Sequence, residues 1–304
     1  MSAWSALPPL LALLLAPLLP ALVVRARCRL TGRRGPPLLQ GYRDLAKLLA
    51  KGAVYSRTTT GVFRAGPLVG LAAVATAAAV VPFGGIAAPL AYPGDLVLFC
   101  GLLALMRFAT VLAALDTGSA FEGMGASREV QFAALAEPAL VLALAVLVRG
   151  TGSLSLSGAF AALTPAAWAH QAAALVLVLG TLFVVHLAEN ARVPVDDPAT
   201  HLELTMIHEV MVLDLGGPDL GLIHYAAALK LWVLGALLVG VALPVRGLAP
   251  WAAPLASLAG MLALAVLVGV VETVMARLKL VRVPQLLVGA TALAVLALVL
   301  VMRG

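Results

Sequence analysis

Windows of about 20 mainly apolar residues recur along the whole chain, and they restrict its fold more tightly than any other feature. A helix rising ~1.5 Å per residue needs a run of that length to cross an ~30 Å hydrocarbon core. Such runs fall near 3–24, 67–82, 95–115, 131–148, 169–188, 224–243, 253–273 and 285–302. Transmembrane strands would alternate apolar and polar residues in short segments, and runs such as LVLALAVLV and LALAVLVGVV do not alternate. Composition agrees: 62% of residues are hydrophobic, 11% are charged, and mean hydropathy is +1.07, against roughly 25% charged residues in an ordinary soluble domain. The expected fold is an all-α integral membrane protein. It is a single transmembrane domain over 1–304, a bundle of about eight transmembrane helices plus a cytoplasmic amphipathic helix.

The opening MSAWSALPPL has no basic residue, and the apolar run that follows ends on Arg25, Arg27 and Arg29 without a small-residue cleavage site. The first span is therefore expected to stay as an anchor rather than to be removed as a signal peptide. Pro8, Pro9, Pro17 and Pro20 should kink it, which in lipid requires protein neighbours to satisfy the freed carbonyls.

Lys and Arg are distributed unevenly. The loop 25–66 holds Arg25, Arg27, Arg29, Arg33, Arg34, Arg43, Lys47, Lys51, Arg57 and Arg64, and 274–284 holds Arg277, Lys279 and Arg282. Threaded through eight spans, these share a side with Arg128 and Arg192, while Arg149, Arg246 and Arg303 fall on the other. The positive-inside rule then makes 25–66, 116–130, 189–223 and 274–284 the cytoplasmic loops and leaves both termini external. Cys28 and Cys100 lie at the inner face and inside a span, so no disulfide is expected. The net charge of +6 sits mostly in one juxtamembrane loop, which points to topology and anionic lipid rather than nucleic acid.

Within that loop, PPLLQGYRDLAKLLAKG reads as a short amphipathic helix. Leu38, Leu45, Leu48 and Leu49 fall on one side, with Arg43, Asp44, Lys47 and Lys51 mainly on the other. It either lies in the interface plane or docks a soluble partner. The external segments 83–94 and 149–168 are rich in Gly, Pro and Ser and nearly uncharged, unlike a receptor or catalytic ectodomain.

Acids gather on the cytoplasmic side: Asp116, Glu122 and Glu129 after the third span, then Glu189, Asp196, Asp197, Glu203, Glu209, Asp214 and Asp219 after the fifth, and Glu272 at the inner end of the seventh. Asp197 and Pro198 match an N-cap and first-turn pair, opening a helix that Gly216, Gly217 and Pro218 would stop about four turns later. On that helix His201, Thr205 and His208 share one stripe with Glu209 at its edge, and Glu203 faces nearly the other way. Carboxylates that are partly desolvated and close together are pushed toward neutral pKa and titrate as a coupled set, which suits proton uptake and release. The alternative is that they only cap helices and pair with Arg192 and Arg128.

Arg107, Glu137 and Lys230 place charges inside apolar windows, at roughly 2.5–3.5 kcal/mol apiece on insertion scales for Lys, Arg or Asp at a helix centre. Pairing of Glu137 with Arg107 or Lys230 would form a polar axis leading from the cytoplasmic mouth into the membrane. Snorkelling is the alternative for Lys230, near a span end.

Soluble-enzyme patterns fail. His208 and Glu209 begin a zinc-protease H-E-x-x-H, but position 212 is Val. The stretch from Gly123 to Arg128 breaks the dinucleotide fingerprint at its third glycine. There is no P-loop and no cysteine cluster, and His170 and His186 lie too far apart on one span to ligate a single haem. The chain itself is expected to hold no catalytic residue, metal, cofactor or redox centre.

GYRDLAKLLAK, FEGMGASREVQFAALAEPAL and ENARVPVDDPATHLELTMIHEVMVLDLGGPDLGLIHYAAALKLW resemble the membrane-anchor subunit of energy-converting nickel-iron hydrogenases, the type often called formate hydrogenlyase subunit 4 or hydrogenase-4 component C. That type falls in the respiratory-chain NADH dehydrogenase subunit 1 family, which includes the quinone-site subunit of bacterial complex I. The resemblance covers most of the chain. It implies that Gln40, Gly41, Arg43, Asp44 and Lys47 lie at the membrane surface beneath a peripheral arm, and that Ser127, Arg128 and Glu129 match a serine-x-glutamate element. It also implies that Arg192, Pro194, Asp196, Pro198 and Glu203 match a loop contacting the subunit with the last iron-sulfur cluster, where a proton path begins. Complex I members carry further acids where this chain has Ala199, Thr200 and His201, so the match is closer to the hydrogenase branch and no quinone site is assigned.

On this reading the proton-path candidates are Glu129, Glu137, Asp196, Glu203, His208, Glu209 and Glu272, with Arg107 and Lys230 as buried charge partners. Arg43, Asp44, Lys47, Arg128, Arg192 and Asp197 would dock the peripheral arm. The implied partners are hydrogenase large and small subunits, an iron-sulfur subunit and antiporter-like membrane subunits, which would carry the nickel-iron and iron-sulfur centres. The implied location is a bacterial or archaeal cytoplasmic membrane. Two other functions stay open: a complex I type NADH-quinone oxidoreductase subunit contributing to a quinone chamber, and a standalone proton-linked transporter.

Overall fold

A computed structural model describes residues 3–196 and 206–303, and among these every regular element is helical. A 3-10 turn leads into α1 (Leu7–Leu15) and α2 (Leu18–Leu30), which form one span broken by a 51° bend. Pro17 sits at the break and cannot supply the N–H that the Leu13 carbonyl would otherwise accept. The Tyr225 hydroxyl donates to the Leu13 carbonyl instead, at 2.8 Å, and the Tyr42 hydroxyl donates to that of Leu14. The kinked span thus packs against protein, as its prolines require.

α3 (Gln40–Leu49) is the amphipathic helix, held against the bundle by Leu48 and Leu49, which meet Gly221, while Arg43, Asp44 and Lys47 stay exposed. The rest of the bundle comprises α4 (Gly61–Ala78), α5 (Asp95–Asp116), α6 (Ala120–Thr151), the short α7 (Leu156–Ala162) and α8 (Pro165–His170), and α9 (Ala172–Glu189). It continues with α10 (Gly217–Ala242), α11 (Ala252–Val274) and α12 (Val283–Arg303). Among the described residues seven helices are long and apolar enough to span a bilayer, and the broken first pair, taken as one span, brings the number to eight. α10 is the most enclosed, with 72% of its apolar window buried. At one end Asp95, fully buried, accepts from the Leu156 N–H at 2.8 Å and the Ser155 hydroxyl at 2.6 Å, tying α5 to α7.

Two local expectations fail. The segment 116–130 is not a loop: α6 is 32 residues long and begins at Ala120. At ~1.5 Å per residue it outruns the apolar layer by several turns. Its charged first turns are helical because they are buried by tertiary contact, with Glu122, Gly125, Ala126 and Glu129 all inaccessible. A hydropathy window cannot detect that contact. Nor do Gly216, Gly217 and Pro218 stop a helix. They start α10, where Gly217 has φ +55° and a Cβ would in addition lie 2.6 Å from the Gly52 carbonyl oxygen. Residues 206–208 are irregular and Glu209–Val212 is a 3-10 turn, so the expected helix does not run on through 206–216. Asp197, Pro198, His201, Glu203 and Thr205 lie outside the described residues.

Candidate functional site

The charges expected inside the membrane converge. Arg107 on α5 projects a guanidinium that is only 9% exposed, and three carboxylates hold it. Its Nε lies 3.1 Å from Glu129 Oε1, while its two terminal nitrogens donate to Glu137 and Glu189. A planar guanidinium with five donors suits such a three-way clasp, which a lysine could not reproduce. Glu189, the last residue of α9, also faces Lys230 Nζ at 3.6 Å. The expected pairing of Glu137 with Arg107 is present, and Lys230 is drawn into the same cluster by Glu189 rather than by Glu137.

His208 joins this cluster to the segment before α10. Its Nε2 is 3.1 Å from Glu129 Oε2, and its Nδ1 is 3.5 Å from Asp196 Oδ2. Asp196 also accepts from the backbone N–H groups of Ile207 and His208, at 3.2 and 3.3 Å, and faces Arg277 at 2.9 Å. Burial alone would lower the imidazole pKa, but the Glu129 carboxylate and the bond to Asp196 outweigh it and raise it. Burial alone would raise the Asp196 carboxyl, but its bond to His208 and the charges of His208 and Arg277 hold it below the usual range. Gly125 seats the segment on α6: a Cβ there would press on Val210 and come within 3.0 Å of the Ile207 carbonyl oxygen. A cavity of about 10 Å³, on the order of one water, is lined by Glu129, Phe132, Ala136, Ala188, Glu189 and His208.

The other candidates separate from this chain of charges. Glu272 on α11 belongs to a second buried cluster, with Arg192 Nη1 at 3.2 Å and Arg27 Nη1 at 3.8 Å. Arg192 is turned inward, 11% exposed, and ties its end of the chain to Glu272, while Arg128 donates to the Met206 carbonyl at 2.9 Å, so both arginines brace the bundle from within. Glu209 is partly buried at the head of the 3-10 turn. Arg43, Asp44 and Lys47 form a polar face on α3, where Gln40 donates to Asp44 at 2.7 Å. Among the described residues no group of three or more His, Cys, Asp or Glu side chains is placed to hold a metal ion. Cys28 and Cys100 are free thiols. A larger cavity near the opposite end, beside Phe83, Phe160 and Leu243, is mostly apolar and touches none of these groups.

Charge clasps buried among long apolar helices, with one imidazole at their edge, define a multi-pass membrane protein that encloses ionisable groups between its helices. The sequence model of the family described as NADH dehydrogenase matches residues 6–302, and the chain belongs to that family. It is 33% identical to formate hydrogenlyase subunit 4 of Escherichia coli (strain K12) over 297 residues, 93% of each chain. It is also 33% identical to hydrogenase-4 component C of the same organism over 232 residues, 76% of this chain and 72% of that one. A chain in the structure of the membrane-bound sulfane sulfur reductase, an archaeal respiratory membrane complex, matches with a TM-score of 0.83 over 98% of both chains. At 19% identity that likeness speaks for the fold alone. The two relatives at 33% identity thus carry the names formate hydrogenlyase subunit 4 and hydrogenase-4 component C, the type that the three quoted segments resemble.

Proposed function

We propose that this chain is the membrane-anchor and energy-coupling subunit of a formate hydrogenlyase-like or other energy-converting nickel-iron hydrogenase complex. Its basic end would face the cytoplasm of a bacterial or archaeal cell, leaving both termini external. The exposed Arg43, Asp44 and Lys47 of α3 would receive the peripheral hydrogenase module. Large and small hydrogenase subunits and an iron-sulfur subunit would carry the redox centres, with antiporter-like subunits beside the bundle in the membrane.

The observation that carries this reading is the unbroken run of ionisable contacts from Asp196 through His208, Glu129 and Arg107 to Glu189 and Lys230. It connects the basic end of the bundle to α10, its most enclosed helix. Arg107 keeps its proton and acts as the clasp, so protons would pass between carboxylates and imidazole, with the small cavity bridging Glu129 and Glu189. Glu203, Asp197 and Glu209 remain candidates for the outer part of the route. A peripheral redox event that shifts charge near Asp196 would be felt at Glu189 through these contacts.

Affinity purification of the tagged chain in mild detergent tests the assignment. Co-purification of a hydrogenase large subunit is the expected result. An NADH-oxidising module with bound quinone, or a solitary protein that moves protons in liposomes, would overturn it.

A further inference from the structure

Within the Arg107 cluster, Glu137 differs from its neighbours in reaching the outside of the bundle. Its side chain is 45% exposed, whereas those of Arg107, Glu129, Glu189 and Lys230 are enclosed. It stands on α6 inside the apolar window 131–148, at a depth where neither water nor a lipid headgroup lies against the outer face of a span.

Helical spacing puts this carboxylate on an outward stripe. On α6 Val130, Ala134 and Val141, seven and three residues before Glu137 and four after it, are all exposed. On α5 Leu105, Phe108 and Leu112 are exposed in the same way, and Phe108 follows the arginine that Glu137 binds. The seam between α5 and α6 is thus an apolar surface with one carboxylate set in it.

Charge says what covers that surface. The two enclosed cations, Arg107 and Lys230, balance the two enclosed carboxylates, Glu129 and Glu189. Glu137 is the surplus negative charge, and it is the one that faces out. Ionisable side chains within spans normally turn inward and pair. Arg107 takes one side of this carboxylate and leaves the other uncovered, and hydrocarbon offers it neither a hydrogen bond nor a countercharge. A second copy of this chain offers no cation there, because every Lys and Arg other than the enclosed Arg107 and Lys230 lies outside the apolar windows.

We propose that the seam of α5 and α6 around Glu137 is the interface for a different membrane subunit, whose covering helix presents a lysine or arginine to the Glu137 carboxylate within the apolar layer. The apolar residues of the seam give the contact its area, and the charge pair fixes its register. This deepens the reading above and rests on it only for the presence of a partner in the membrane.

The test is photo-crosslinking in membranes that hold the intact complex, with p-benzoylphenylalanine in place of Phe108 or Val141 and the joined peptides read by mass spectrometry. The expected product links either position to a transmembrane segment of another subunit that has a lysine or arginine within about one helical turn of the link. Glu137→Lys sets like charges against each other and should lower the yield of that product about tenfold or more, while replacing the partner's cation by Glu in the same complex should restore it. Should Glu137→Lys fail to accumulate, Glu137→Gln keeps the size of the side chain and should lower the yield in the same direction. Links to lipid alone, to a second copy of this chain, or to a segment without a cation at that depth would overturn the proposal, as would a yield indifferent to the charge at position 137. Labelling of Glu137→Cys by a hydrophilic thiol reagent in the intact complex, with Cys28 and Cys100 replaced by Ala, would overturn it too, since water and not a helix would then line the seam. The links are read without reference to hydrogenase activity. A cation-bearing membrane partner in a complex that lacks a hydrogenase large subunit removes the assignment above and spares this inference, while a hydrogenase complex whose seam meets only lipid does the reverse.

Discussion

Replacing Arg107 by Met keeps much of the apolar stem and deletes the clasp of three carboxylates. Glu129 and Glu189 are then left at 8% and 6% exposure, with Lys230 in reach of Glu189 alone. Breaking a buried ion pair by removing one partner costs about 3–5 kcal/mol, the same order as two unit charges 4 Å apart at an effective dielectric near 20, about 4 kcal/mol. Unfolding by SDS in mixed micelles, followed through the four tryptophans, should therefore show Arg107→Met less stable by about 3–5 kcal/mol. Adding Glu189→Gln removes one orphaned anion and should return about 1–3 kcal/mol, a coupling that a double-mutant cycle isolates. An Arg107→Met midpoint within ~0.5 kcal/mol of the parent, or strictly additive effects in the cycle, would refute the clasp.

Gly125→Ala should lift the 206–212 segment off α6, costing about 1–3 kcal/mol as overpacking does, and Val210→Ala in the same chain should recover part of that; limited proteolysis within 206–216 is the readout. Asp95→Ala leaves the buried Leu156 N–H without its acceptor and should cost about 1–3 kcal/mol, with Asp95→Asn milder, both measured by the same SDS titration. The attachment of the 206–208 segment should also depend on pH in both directions. His208 has a raised pKa, so its contribution is complete below about 6.5 and is lost as pH climbs through its higher folded value; Asp196 has a lowered pKa, so its contribution holds above about 3.9 and is lost as pH falls through its folded value. Hydrogen exchange at the Ile207 and His208 amides, corrected for intrinsic rates, should show protection falling on the alkaline side in the parent and a flat alkaline limb in His208→Gln.

The spans were legible because apolar length is a local property, and the bend at Pro17 and the pairing of Glu137 with Arg107 followed from the same physics. Glu189 shows the limit. By sequence it is one more acid at the edge of a loop, yet as the last residue of α9 it binds both intramembrane cations, and nothing in a single chain says that α5, α9 and α10 meet at that depth. Asp95 was passed over for a similar reason, since its partners at Ser155 and Leu156 lie 60 and 61 residues away. The first turns of α6 looked like loop because they carry charge, and Gly216 and Gly217 looked like a stop because glycine closes helices more often than it opens them. In both places a tertiary contact, with the 206–216 segment in one and with Gly52 in the other, overrode the local signal.

Proton movement by the purified complex in proteoliposomes, recorded with a pH-sensitive dye while hydrogen evolution is followed in the same sample, is the most direct test of the charge path. Glu129→Gln removes the carboxylate that stands between His208 and Arg107. The expected outcome is that hydrogen evolution continues while proton movement per turnover falls at least tenfold. Unchanged proton movement per turnover in an intact complex would contradict a route through His208 and Glu129.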